Sequence, residues 1–212
     1  MAAEPSIRVA PADATYESAA RSFADLVRRI PDTAWDGPGL GDWDLRALVG
    51  HASRSLITVS TYLATSAEHE DVATPQAYYA QIVGYASNAG ADAITERGRQ
   101  AGRDLGADPV ATIDGLIEKA MADVAAADDP LIQVIGGLGI RLHTYLPTRT
   151  FELAVHSLDI ARAAALPFDL PRDVLEEATL LAARVAVETG RGDTLLMSLT
   201  GRESLPPGFS IV

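Results

Sequence analysis

The stretch TRTFELAVHSLDIARAAA, residues 148–165, carries the clearest helical pattern in the chain. Side chains three and four positions apart lie on the same side of an α-helix, and the apolar residues here follow that spacing. They are Phe151, Val155, Leu158 and Ile160. The segment PFDLP that follows contains two prolines, which cannot continue a helix. The stretch therefore predicts a helix from Thr148 to Ala165.

Helical spacing recurs along most of the chain and predicts an all-α fold. Hydrophobic residues make up 48% of the 212 residues and aromatic residues only 6%, a balance that favours packed helices over strands. Pro31 ends the first helix, and an aspartate at position 42 or 44 and Asp108 offer side-chain oxygens that cap later helices. The predicted helices cover residues 12–30, about 44–65, 75–104, 109–128 and 171–188.

The segment LIQVIGGLGIRLHTYLP, residues 131–147, interrupts the helical pattern. Its glycines predict a connection or a broken helix, and its glycine spacing does not fit a phosphate-binding loop. We predict one helical bundle domain over residues 1–190. Residues 191–212 form a short C-terminal extension that is too small to be an independent domain.

Charge and composition exclude several classes of function. The chain has 29 acidic and 17 basic residues, a net charge of −12, so its field repels nucleic acids and anionic membranes. It contains no cysteine, so thiol chemistry requires an external thiol. Neither a signal peptide nor a membrane-spanning segment is predicted, and the expected location is the cytoplasm.

Glu152 and His156 are four residues apart on the predicted helix, so both project from one face, which Asp159 shares. A third ligand from another helix would complete a set of two histidines and one carboxylate with open positions. His51 is the best candidate for that ligand. From spacing alone, a hydrogen-bonded histidine in the core and a solvated Glu–His pair remain alternatives.

The two other histidines are weaker candidates. His69 lies among acidic residues in a predicted loop and is expected to be solvated. His143, beside the glycine-rich segment, is left as an undecided second choice.

Two longer segments carry a resemblance to a known family. They are WDGPGLGDWDLRALVGH, residues 35–51, and RTFELAVHSLDIA, residues 149–161, and the tail LLMSLTGRESLP at 195–206 extends the match. They resemble the mycothiol-dependent maleylpyruvate isomerase N-terminal family, within the DinB-like metal-binding superfamily. By this resemblance the three metal ligands fall on His51, Glu152 and His156.

The resemblance implies a DinB-like four-helix bundle with additional helices. It also implies a bound divalent metal, with zinc as the first choice and nickel or another ion as alternatives. The cosubstrate would be mycothiol, the low-molecular-weight thiol of actinobacteria. A cation of this kind lowers the pKa of a bound thiol, and the resulting thiolate is a nucleophile.

The expected function is therefore a metal-dependent, thiol-using enzyme, a transferase or a cis–trans isomerase acting on an electrophilic substrate. The alternative is a metal-binding module with a binding or regulatory role and no turnover. Hydrolysis by a metal-bound hydroxide ranks last, because no general base is evident beyond the ligands. The partners are thus a small thiol and its substrate, and a homodimer is left open.

The sequence does not identify the substrate, and it leaves open the roles of residues near the predicted ligands. The isomerase resembles a longer protein with a further C-terminal domain that helps to hold its dicarboxylate substrate, so maleylpyruvate does not follow from the resemblance. Arg149 either meets an anionic group or pairs with an acidic neighbour. Asp159 either orients His156 or lies on the helix surface. Trp35 and Trp43 are predicted to be packing residues.

Overall fold

The computed structural model describes residues 11–89 and 91–212, and over these residues the chain is mostly helical. The predicted all-α class is confirmed. Residues 1–10, the start of the predicted bundle domain, lie outside the described residues. The helices are α1 Ala12–Val27, α2 Leu45–Leu63, α3 Pro75–Ala89, α4 Ala91–Asp104, α5 Pro109–Ala125, α6 Leu142–Ala163, α7 Arg172–Glu188 and α8 Gly192–Leu199.

Four of these helices form the central bundle. Helix α1 packs against α5 and α6, and α2 packs against the same two helices from the other side, which closes a ring of four. The interior of the ring is apolar, with Phe23, Leu48, Leu56 and Leu153 fully buried. Helix α4 covers α2, α7 packs on α6, α3 and α1, and α8 packs on α7. This arrangement agrees with the predicted DinB-like bundle and its additional helices.

Two predicted N-caps are confirmed by their hydrogen bonds. The Asp44 carboxylate accepts from the backbone N–H of Ala47 at 2.7 Å, and that of Asp108 accepts from Ala111 at 3.0 Å. Both bonds satisfy amide groups that the first turn of a helix leaves without a partner. Helix α2 therefore begins at Leu45, six residues before His51.

The predicted helix over residues 75–104 is matched by α3 and α4. Helix α3 ends at Ala89 and α4 begins at Ala91, and residue 90 between them lies outside the described residues. The two helices also pack against different partners, α3 against α7 and α4 against α2. The two parts of the predicted helix therefore contact different surfaces of the bundle.

Residues 131–141 form an antiparallel hairpin and residues 142–147 belong to the next helix, where the sequence predicted a connection or a broken helix. Strand β1, Leu131–Gln133, pairs with β2, Gly139–Arg141, and Ile132 lies opposite Ile140 with both side chains buried. The loop between the strands contains Gly136 and Gly137, both with φ of 77°, a conformation that favours glycine.

Helix α6 begins at Leu142, six residues before the predicted start at Thr148. Pro147 lies within the helix, near enough to its N-terminus that it interrupts only the beginning of the hydrogen-bond ladder. Leu146, Leu153 and Ile160 are buried at seven-residue intervals, whereas Val155, predicted as a member of the apolar face, is 37% exposed.

Candidate metal centre

His51 lies on α2, largely buried, with its ring against two other aromatic rings. The ring of Trp43 is 4.5 Å away between centroids, and the ring of His156 approaches edge-on at 4.9 Å. Burial and the nearby charge of His156 lower the pKa of His51 to about 4, so the imidazole is neutral near pH 7. Its buried Nδ1 has no hydrogen-bond partner among the described residues. A neutral imidazole with an unused buried nitrogen is the form that a metal ion requires.

Glu152 and His156 lie one turn apart on α6, as their spacing predicts. His156 Nε2 is 3.4 Å from Glu152 Oε2, and these side chains are only 13% and 24% exposed. Burial opposes protonation of His156, but its hydrogen bonds with Asp159 and Glu152 outweigh that effect and raise its pKa to about 9. Burial also opposes ionisation of Glu152, yet His156 and Arg149 lower its pKa to about 2. A negative carboxylate therefore faces His51 and His156 at neutral pH.

Two further side chains hold these groups in place. His156 Nδ1 is 3.3 Å from Asp159 Oδ2, so Asp159 contacts the ring nitrogen that faces away from Glu152. The Tyr79 hydroxyl, at 2.9 Å from Glu152 Oε1 and 3.0 Å from the carbonyl oxygen of Thr148, donates its single proton to one or the other. Second contacts of this kind orient metal ligands in known sites.

The structure brings together all three side chains of the predicted ligand set. One nitrogen or oxygen atom from each of His51, Glu152 and His156 lies within 4.8 Å of the other two. Within the described part of the chain, no fourth histidine or carboxylate belongs to this group. Two imidazoles and a carboxylate around an unpartnered buried nitrogen fit a divalent cation with open coordination positions. Their role as metal ligands stays a prediction.

The other two histidines lie away from this cluster. His69 is exposed in the loop after α2, as predicted. His143, at the start of α6, has a side chain that is 55% exposed, and its Nδ1 is 3.7 Å from Asp129. Neither belongs to the group of His51, Glu152 and His156.

Arg149 and Tyr79 have roles that the sequence did not define. Arg149 forms no ion pair with an acidic neighbour among the described residues; its guanidinium lies over the rings of Tyr145 and Tyr78. Tyr79 was not singled out, because it reaches Glu152 from α3, 73 positions earlier in the chain. No local spacing signals such a contact.

A cavity of about 220 Å³ opens beside the cluster. His51 and Glu152 form part of its wall, together with Arg54, Arg149 and Tyr145. The candidate metal centre therefore has space next to it for a small molecule.

The described helices include none that combines the length and apolar character needed to cross a bilayer. A comparison with protein families finds a match to the mycothiol maleylpyruvate isomerase N-terminal domain over residues 16–161. No curated protein and no solved structure matches the chain significantly. The matched range is more than half of the chain and includes His51, Glu152 and His156. The chain therefore belongs to the mycothiol maleylpyruvate isomerase N-terminal domain family.

Proposed function

We propose that this protein is a metal-dependent enzyme that activates a low-molecular-weight thiol, mycothiol, for reaction with an electrophilic substrate. The reaction is S-transfer or a cis–trans isomerisation. The observation that carries the proposal is the cluster of His51, Glu152 and His156, with its unpartnered buried nitrogen, at the wall of a cavity. Family membership supports the thiol, and a thiol-containing cytoplasm is the proposed location.

Each residue has a defined part in this proposal. His51, neutral because it is buried, offers a nitrogen lone pair from α2. Glu152 supplies the negative charge and is held by Tyr79, while Asp159 fixes the ring of His156. A bound divalent cation, zinc as the first choice, would lower the pKa of a thiol so that it reacts as the thiolate.

The cavity is what favours an enzyme over a closed metal site. A structural site is normally closed by four protein ligands, whereas a catalytic site keeps a position open. Among the described residues the cluster offers three ligands and adjoins free space. The alternative, a binding or regulatory module without turnover, predicts metal binding without a response to thiols.

The metal is tested first. We expect about one divalent ion per chain, and we expect His51→Ala and His156→Ala to lose most of it, because each removes one of three protein ligands. Elemental analysis of the purified, metal-reconstituted proteins measures this occupancy. His69→Ala, in an exposed loop, is the matched control and should keep the metal. Full occupancy in both cluster variants would refute the site.

The thiol is tested on the cobalt-substituted protein. A thiolate bound to cobalt produces a sulfur-to-metal charge-transfer band that oxygen ligands lack, and its formation from a thiol releases a proton. Titration with mycothiol should produce this band near neutral pH, with glutathione and cysteine as comparisons. If no thiol changes the spectrum while cobalt stays bound, the module alternative replaces the enzyme.

A further inference from the structure

Arg149 is the most unusual residue in the cavity beside the metal centre. A guanidinium group has five N–H donors, yet Arg149 is only 9% exposed and its Nε–H, which donates to Thr148 Oγ1 at 3.1 Å, is the one donor bonded among the described residues. No carboxylate of the described residues lies within ion-pair distance of it, although the negative charge of Glu152, one turn along α6, acts on it. Arg149 lines the cavity, where an anion can accept hydrogen bonds from the N–H groups that remain.

The position of the guanidinium explains where that anion would lie. It stacks over Tyr145 at 4.8 Å and over Tyr78 at 5.6 Å, and all three side chains line the cavity. Stacking on aromatic rings fixes the plane of the guanidinium and leaves the N–H groups at its edge available. Those groups suit the two oxygens of a carboxylate, which arginine binds through parallel hydrogen bonds.

A second arginine adds to the positive charge of the cavity. Arg54, on α2 one turn after His51, also lines it and is not in an ion pair within the described part of the chain. Among the side chains that the structure describes, the acidic residue that lines the cavity is Glu152, which belongs to the metal centre. The chain as a whole has a net charge of −12, whereas the arginines give this cavity an excess of positive charge.

We infer that this cavity is a carboxylate subsite in which Arg149, assisted by Arg54, holds an anionic group of a small ligand beside the metal centre. The inference rests on the proposed function and names its ligand class, a small carboxylate. A volume of about 220 Å³ suits a short ligand, or one arm of a larger one. Arg149 is a binding residue here and takes no part in proton transfer.

The test compares a carboxylate with its uncharged amide. Binding of propanoate and propanamide to the zinc-loaded protein is measured by calorimetry or ligand-observed NMR. The wild-type protein should prefer propanoate by at least about tenfold, because charge-assisted hydrogen bonds to arginine are lost with the amide. Arg149→Met and Arg54→Gln should each reduce this preference. The control, Arg21→Gln, changes an exposed arginine on α1, outside the cavity, and should leave it unchanged.

Two outcomes would overturn the inference. One is equal binding of propanoate and propanamide by the wild-type protein. The other is a preference that persists in both arginine variants, which would show that the carboxylate binds elsewhere, such as on the metal. Should Arg149→Met fail to fold, Arg54→Gln, which is half-buried on α2, still decides the matter.

The same titrations in the metal-free protein separate this inference from the proposed function. An arginine-dependent preference that persists without metal supports the subsite even if the metal and thiol tests fail. A further arm identifies which ligand occupies the subsite, by repeating the propanoate titration in the presence of saturating mycothiol. If propanoate still binds, the carboxylate belongs to the electrophile. If mycothiol displaces propanoate, the thiol occupies the subsite.

Discussion

At the residue scale, the charge of the candidate metal centre depends on Glu152. It is the one carboxylate in the group with His51 and His156, and its low pKa of about 2 keeps it ionised. Asp159 contacts the group only through His156 Nδ1. The two carboxylates therefore have different functions although they lie on the same face of α6.

This difference predicts a ranking of variants. Glu152→Gln removes the anionic ligand and should weaken metal binding by more than about 100-fold, whereas Asp159→Asn alters an outer contact and should cost about tenfold. Competition against a chelator of known affinity measures both values. Equal affinities for the two variants would contradict the assignment of Glu152 as a ligand.

Tyr79 gives a second prediction at this scale. Its buried hydroxyl lies within hydrogen-bond distance of Glu152 and of the carbonyl of Thr148 and donates to one of them, so Tyr79→Phe leaves the carboxylate less firmly oriented. We expect metal affinity to fall by about tenfold and the free energy of unfolding by about 1 kcal/mol. Chelator competition and urea unfolding measure the two effects. Tyr62→Phe, a partly buried tyrosine outside the cluster, serves as the control. Unchanged affinity would mean that Tyr79 does not position Glu152.

The residues of the candidate site were predictable to different degrees. The four-residue spacing of Glu152 and His156 predicted that both lie on one face of a helix. His51 was assigned as the third ligand by the resemblance of its segment to a family motif. Tyr79 was not predictable, because its contact depends on how α3 packs against α6. The stacked state of Arg149 also depends on tertiary packing, since Tyr78 reaches it from another helix.

At the element scale, the sequence predicted the helices that have strong local signals. Capping aspartates at 44 and 108 and prolines at the ends placed α2, α5 and α7 closely. The failures have tertiary causes. The hairpin at 131–141 is short and depends on a contact with the loop before α3, where Gly139 N–H donates to Asp71. Helix α6 begins six residues before its predicted start and contains Pro147, a residue that is uncommon inside helices.

The close contact between α2 and α4 gives a prediction for this scale. A Cβ added at Gly50 would lie 2.2 Å from the backbone nitrogen of Gly102, and backbone cannot move aside easily. Gly50→Ala should therefore lower the free energy of unfolding by about 2–3 kcal/mol and displace the neighbouring His51. Urea unfolding and metal occupancy measure the two consequences.

Gly115 is the matched control for that substitution. It is an exposed glycine within α5, and nothing lies within 4 Å of a Cβ added there. Gly115→Ala should stabilise the protein by about 0.5–1 kcal/mol, because alanine loses less backbone entropy in a helix. If the two variants had the same stability, steric contact between α2 and α4 would not be what limits position 50.

At the scale of the whole molecule, the candidate site connects distant parts of the chain. His51 belongs to α2, and Glu152 and His156 belong to α6, which is its neighbour in the ring of four helices. The three side chains meet only when the bundle is folded. A metal ion bound by all three would therefore bind the folded state in preference to the unfolded chain.

This coupling predicts that metal stabilises the entire fold. At a free metal concentration about 100 times the dissociation constant, the gain is about 2.7 kcal/mol, or about 5–10 °C in the unfolding temperature of a chain of this size. Thermal unfolding followed by circular dichroism, with zinc and then with excess chelator, measures the shift.

His51→Ala should show a much smaller shift of the unfolding temperature. Comparing each variant with and without metal removes the cost of the substitution itself. His69→Ala should shift as the wild type does. A shift of equal size in His51→Ala would show that the ion stabilises the protein from another site, and the link between α2 and α6 through the metal would be lost.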